Sequence, residues 1–306
     1  MATAIEVRDV RQSFRTGFWL KQVEVLRGIT FDVPEGTVFG LIGPNAAGKT
    51  TLIYNLAGVR RPTAGTVRVA GMPAGGVSAR RKIGFLPERP YFHEHLTAEE
   101  FLRYMGTLAG MGDVLIRERM PQVLAAVDLS HARRTELRRF SKGMLQRVGL
   151  AQALIHDPGI LILDEPMSGL DPIGRREMRE MILRLAGDGK TVFLSSHIIS
   201  DVEMICGGVA ILDKGRVVRT GSMAELLKGA ALATEIAVGA LSGESLERLS
   251  REFGPSRITP TGAQFTVPPG ATSGILARLL EVGAEIQAVR PVRASLEDII
   301  FERGAQ

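Results

Sequence analysis

The chain is poor in the residues that build scaffolds without a core. Among its 306 residues there is one cysteine, one tryptophan, three tyrosines and five histidines. A lone Cys206 excludes an internal disulfide framework and a multi-cysteine zinc site, and is read as a buried, inert thiol. No stretch approaches the roughly 18 unbroken apolar residues of a membrane span, and the opening MATAIEVRDV lacks the apolar centre of a signal peptide, so a cytoplasmic protein is expected. His93 and His95, in YFHEHLT, have no third ligand nearby and are read as surface residues. Net charge is +5, yet the doublets Arg60-Arg61, Arg80-Arg81, Arg133-Arg134 and Arg138-Arg139 are scattered and not interleaved with aromatics. No nucleic-acid partner is expected from them.

What is present is ordinary globular material, 45% hydrophobic and 23% charged, enough for one large or two modest domains. From Thr3 to about Lys228, strands alternate with helices, and short apolar runs beside glycine-rich loops predict an α/β fold with a largely parallel sheet. Within it Thr97 to Leu154 reads as almost entirely helical. LTAEEFLRYMG opens with Thr97 and Glu100 in capping-box spacing, and SKGMLQRVGLAQAL starts another helix near Ser141. This predicts a helical subdomain at about 96–155 inserted in the α/β core. After MAELLKGAAL the composition changes. The expected order is strand Ala233–Val238, helix Leu246–Phe253, two short strands within Arg257–Val267, helix Ile275–Val282, strand Glu285–Val289 and helix Leu296–Phe301. That is βαββαβ plus a helix, a small ferredoxin-like α+β domain read as a docking or dimerisation module in preference to a ligand sensor. Domains of 1–228 and 229–306 follow.

Chemistry is concentrated in TVFGLIGPNAAGKTTLIYNLAG, residues 37–58. Val38 to Ile42 is a candidate buried strand, Leu52, Ile53 and Leu56 recur at helical spacing, and Gly58 is placed as a stop. Between them Gly43 to Thr50 matches G-x-x-x-x-G-K-[ST], whose backbone N–H groups and helix N-terminus suit phosphate. Gly43, Asn45, Ala46, Ala47, Gly48, Thr50 and Thr51 are the candidate cradle, and Lys49 is the mobile cation for the β- and γ-phosphates. Downstream, GILILDEP predicts a buried strand, Ile160 to Leu163, delivering Asp164 and Glu165 to the carboxyl end of the sheet. One can hold Mg2+ while the other polarises water. Asp164, with Thr50, is assigned to the metal, and Glu165 is the candidate general base. SGLDP follows, and TVFLSSH brings His197 to the same edge for a hydrogen bond to the γ-phosphate or the attacking water. Phosphoryl transfer needs positioning and charge neutralisation, which these groups supply.

In this order the motifs resemble those of the nucleotide-binding subunits of ABC transporters, from the N-terminus to about Lys228. GPNAAGKTT looks like the Walker A motif, ILILDEP the Walker B, SGLD the D-loop with Asp171, and SSH the switch histidine, while FSKGMLQR stands at the signature. The resemblance implies a P-loop ATPase core, ATP and Mg2+ as cofactors, and Ser141 and Gly143 contacting the γ-phosphate of ATP held by a second copy or a homologous subunit. It also implies a head-to-tail dimer with composite sites, Asp171 included. Such a dimer would drive transmembrane permease subunits at the cytoplasmic face of the inner membrane, in an export system. A non-transport ATPase of the same superfamily, acting on ribosome or DNA, is the alternative. It generally needs two cassettes or a long coiled coil, and the chain has one cassette and no sustained heptads. Intact Lys49, Asp164, Glu165 and His197 argue against a regulatory module without turnover.

Several positions depart from the pattern. Ala46 replaces a glycine and is expected to keep negative φ. Lys142 and Met144 replace a signature glycine and glutamine. Glu88, in IGFLPERP, stands where a glutamine would meet the metal, with Tyr91 and Phe92 after it as apolar contacts for the membrane partner. For adenine stacking the first choice is Phe14 and the second Trp19.

Overall fold

A computed structural model describes residues 2–16, 21–227, 233–254, 256–259 and 262–292. The chain divides into two compact units, Met1–Met223 and Ala224–Gln306. In the first, β1 (Thr3–Thr16) and β2 (Lys21–Pro34) are followed by β3 (Val38–Ile42), α1 (Lys49–Leu56), β4 (Ala64–Val69), β5 (Met72–Pro73), α2 (Val77–Arg80) and β6 (Ile83–Leu86). Next come α3 (Ala98–Leu108), α4 (Asp113–Ala126), α5 (Lys142–Leu154), β7 (Ile160–Leu163), α6 (Pro172–Gly187), β8 (Thr191–Ser196), α7 (Ile199–Ile205), β9 (Gly208–Asp213) and β10 (Arg216–Ser222).

These strands form two sheets where the sequence suggests one. The stretch between β1 and β2 is too short for a crossover helix, so the pair is antiparallel, and with β4 and β5 it makes a four-stranded antiparallel sheet ordered β2-β1-β4-β5. The expected parallel arrangement belongs to the other sheet, ordered β10-β9-β3-β8-β7-β6, in which only the edge strand β10 runs antiparallel. Phe31 of β2, Phe39 of β3 and Phe193 of β8 join the sheets. Their rings stack nearly parallel with centroids 5.8–6.0 Å apart, inside a core that also takes in Leu52, Ile53 and Leu56 of α1.

Register decides where the chemistry lies. Ile42 is opposite Ser196, and Leu163 is opposite Leu194, so β3, β7 and β8 end at one edge of the sheet. The loops after them emerge side by side, the place where open parallel sheets hold ligands. Thr97 and Glu100 form a reciprocal capping box at the start of α3, and Ser141 caps α5 by accepting from the Met144 N–H at 3.3 Å. Helix α5 packs on β6 so closely that a Cβ on Gly84 would lie 2.2 Å from the Ala153 carbonyl oxygen.

The second unit, beyond α8 (Met223–Leu227), contains β11 (Ala233–Val238), α9 (Gly243–Phe253), β12 (Ser256–Thr259), β13 (Gly262–Val267), α10 (Thr272–Glu281) and β14 (Ile286–Val292). Its antiparallel sheet is ordered β12-β13-β11-β14. Strand β11 buries alternate residues, and Ile236 and Val238 meet Leu249 of α9 and Ile275 and Leu279 of α10 in a separate core. Helix α9 begins before the expected Leu246 because Ser242 accepts from the Ser245 N–H at 3.3 Å and caps it. The helix expected over 296–301 lies outside the described residues.

Gly84→Ala is expected to destabilise the first unit by about 1–3 kcal/mol, since the new methyl must push α5 off the sheet; a urea melt followed by circular dichroism reads the loss as a lower midpoint.

Candidate functional site

The loop between β3 and α1 is a tight turn, with the Ala47 N–H donating to the Pro44 carbonyl at 3.2 Å. Gly48, at φ 107°, precedes α1 and supplies no side-chain cap, which leaves the first-turn N–H groups of that helix for an anion. Ala46 does not keep negative φ; it sits at φ 64°. The turn demands the left-handed region there, and alanine meets the demand at a cost of about 1–2 kcal/mol.

Lys49 is 7% exposed. Its Nζ donates to the Gly43 carbonyl at 2.7 Å and the Pro44 carbonyl at 3.3 Å, and lies 3.5 Å from Glu165 Oε1. Glu165 Oε2 accepts from His197 Nδ1 at 2.8 Å; a carboxylate only accepts, so Nδ1 carries the proton. Glu165 itself has φ 48°, a strained non-glycine conformation directly after β7. Beside it Asp164 is fully buried. One hydroxyl organises both carboxylates: Ser195 Oγ donates to Asp164 Oδ1 at 2.7 Å and accepts from the Glu165 N–H at 2.9 Å. Burial pushes the Asp164 carboxyl above the usual carboxylate range; hydrogen bonds from Ser195 and Thr50 oppose this, while the charges of Glu165 and Glu88 add to it.

Asp164 Oδ2 is buried with no hydrogen-bond partner. An acceptor in this state suits a water held by a metal, and the Thr50 hydroxyl and Glu88 carboxylate are the other oxygen donors near it. Among the described residues no three His, Cys, Asp or Glu side chains form a ready-made metal group. Mg2+ takes one or two protein oxygens and fills its remaining positions with water and phosphate.

These groups surround a cavity of about 550 Å3. Asn45, Ala46, Gly48, Lys49, Thr50 and Thr51 line one side, and Glu88, Glu165 and His197 the other. Gly43, Ala47 and Asp164 are buried behind it. Ser141, Gly143 and Asp171 line a different cavity of about 520 Å3, with Lys142 and Met144. Here Asp171 caps α6, its Oδ1 accepting from the Gly174 N–H at 2.8 Å. Phe14 lines neither cavity; the Arg60 guanidinium lies over its ring, 4.8 Å from the centroid. Trp19 falls outside the described residues. Sequence reasoning passed over Val25 and Ser168, which line the first cavity, and Ser195. The SSH motif contained the signal for Ser195, a hydroxyl on the strand that carries His197.

Ser195→Ala leaves Asp164 Oδ1 and the Glu165 N–H without that partner. Stability should fall by about 1–3 kcal/mol in a denaturant melt, and the Asp164 carboxyl should titrate still higher, because the lost bond favoured its charged form; an NMR pH titration of that carboxyl checks the sign.

A family model described as ABC transporter matches residues 26–168. The chain is 48% identical over 232 residues to an uncharacterized ABC transporter ATP-binding protein of Synechocystis sp., covering 74% of this chain and 65% of that protein. Over 308 residues it is 31% identical to Nod factor export ATP-binding protein I of Cupriavidus metallidurans, covering 99% of this chain and 97% of that protein. It therefore spans about two thirds of the first relative and nearly all of the second. A solved structure of an ATP-binding subunit of an ABC transporter matches with a TM-score of 0.64 and 32% identity, covering 74% of this chain and 92% of that one. The chain belongs to the ATP-binding proteins of ABC transporters.

Proposed function

We propose that the chain hydrolyses ATP as one half of a head-to-tail pair, with a second copy or a homologous subunit, and drives transmembrane permease subunits from the cytoplasmic face of the inner membrane. The observation that carries the catalytic reading is the contact of Lys49, Glu165 and His197 beside the phosphate-binding turn. Lys49 Nζ would exchange Glu165 Oε1 for the phosphates, which neutralises them and frees that oxygen to take a proton from water. His197 Nδ1 holds the other carboxylate oxygen, so the base is oriented; its Nε2 accepts from the water in the neutral ring and donates to the γ-phosphate only when the ring is protonated. Thr50, Asp164 and Glu88 would hold Mg2+, which supplies charge neutralisation between the phosphates.

Two further observations support the pair and the partner. Ser141, Gly143 and Asp171 gather in a cavity separate from the phosphate-binding one, as expected if they complete the site of another copy. No helix among the described residues is long and apolar enough to cross a membrane, which agrees with a separate permease. Tyr91, 82% exposed on the loop after Glu88, is an apolar contact for it. An export role rests on likeness to a relative named for Nod factor export. We assign 1–228 to the ATP-binding domain, with α3 to α5 as its helical subdomain at about 96–155, and 229–306 to an accessory ferredoxin-like domain that strengthens pairing. Its βαββαβ order and antiparallel sheet support that assignment.

Glu165→Gln should bind ATP normally, lose hydrolysis and persist as an ATP-bound dimer, because an amide cannot take the proton. Gel filtration with ATP and Mg2+ reads the dimer; a monomer under all conditions, permease included, refutes the composite site. For Glu88, 44% exposed at the cavity, the prediction concerns magnesium. Its carboxylate is repelled by phosphates unless the metal intervenes, so Glu88→Gln should weaken the dependence of nucleotide affinity on Mg2+. Titrations with Mg2+ and with a chelator compare the two forms, and equal dependence leaves Glu88 without this role.

A further inference from the structure

The phosphate-binding turn lies at the N-terminal end of α1. Beyond the C-terminal end of the same helix is a third cavity, of about 500 Å3, lined by Arg60, Arg61 and Arg68 together with Asn55 and the Gly75-Gly76 backbone. Its lining contains no aspartate or glutamate. Among the described residues, no ion pair is found for any of the three, although Glu6 of β1 stands opposite Arg68 in the sheet register. Two of them are positioned by contacts. Arg60 lies over the Phe14 ring, and Arg68 Nη1 donates to the Gly71 carbonyl at 3.3 Å; Arg61 is exposed beside Gly75. Three guanidinium groups around one space, none of them in an ion pair among the described residues, suit an oxyanion.

The floor of the cavity narrows the ligand further. Asn55 is 1% exposed. Its Nδ2 donates to Gln12 Oε1 at 3.2 Å and to the Arg60 carbonyl at 3.1 Å, so both amide hydrogens are used. Gln12 Nε2 in turn donates to Thr63 Oγ1 at 3.2 Å, which fixes the orientation of the pair. Asn55 Oδ1 is left buried with no partner. Buried acceptors are normally satisfied, and this one lacks a donor. None of this network belongs to the nucleotide site.

We propose that this cavity binds a phosphate-bearing anion, with the three arginines on the phosphate oxygens and an O–H or N–H of the ligand on Asn55 Oδ1. Phosphate at neutral pH carries such an O–H; sulfate has the same shape and none.

The test uses the full chain with its nucleotide site first saturated by a non-hydrolysable ATP analogue and Mg2+, then titrated calorimetrically with inorganic phosphate or sulfate. Phosphate should bind at least tenfold more tightly than sulfate. The double variant Arg61→Ala/Arg68→Ala, whose side chains are exposed, should lose at least tenfold in phosphate affinity. Its affinity for the ATP analogue should stay unchanged, which also reports that it is folded. Arg133→Ala/Arg134→Ala, elsewhere on the surface, should leave phosphate binding as it is. A co-sedimentation arm compares phosphatidylglycerol with phosphatidylcholine vesicles. If phosphate does not bind but the double variant loses phosphatidylglycerol vesicles, the ligand phosphate is that of a headgroup. Binding of neither phosphate nor vesicles, equal affinity for phosphate and sulfate, or binding unchanged in the double variant overturns the proposal.

Discussion

The Ser195 hydroxyl near the end of β8 holds two neighbouring acidic residues in different positions. By donating to Asp164 and accepting from the Glu165 N–H, it keeps one carboxylate buried beneath the cavity and turns the next residue outward. Adjacent residues on a strand already point to opposite sides, but β7 ends at Leu163, and Glu165 leaves the strand in the left-handed region. The hydrogen bond from β8 stabilises that turn. His197, two residues further along the same chain segment, then meets the outward carboxylate. One strand therefore supplies both the support and the partner of the candidate base.

Strain recurs where phosphate is expected to bind. Ala46 and Glu165 both hold positive φ without being glycine, and each borders the cavity of about 550 Å3. Backbone of this kind persists only where surrounding contacts determine it. Ala46 is held by the turn between a buried strand and a buried helix, and Glu165 by bonds to Ser195, His197 and Lys49. The unpartnered Asp164 Oδ2 lies in the same neighbourhood. Two strained residues and one unmet acceptor therefore border the edge where β3, β7 and β8 end, while other positive-φ residues, such as Asp128 and Asp157, lie elsewhere.

Helix α1 has a polar boundary at each end, although its middle is buried by Leu52, Ile53 and Leu56. Its first residue, Lys49, serves the phosphate turn, and its penultimate residue, Asn55, floors the arginine-lined cavity. An apolar stripe packed between the two sheets thereby carries charge-binding groups at its two exits.

Much was legible before any coordinates. The buried strand, the loop, the helix, the two carboxylates after an apolar run and the histidine after another are local patterns. Spacing alone placed them in the order that phosphate chemistry uses, and the capping box of α3 and the alternation of the second unit were equally local. Other properties depended on distant partners. Whether β1 joins the parallel sheet is decided by pairing with β2 and β4, the sign of φ at Ala46 by the turn closing between β3 and α1, and the packing partner of Phe14 by Arg60, which arrives through α1. Composition and periodicity determined which residues carry charge, phosphate contacts and cores, because those properties belong to each side chain. Tertiary structure decided which of them meet, since a hydrogen bond or a cavity exists only after strands far apart in the chain have been brought into register.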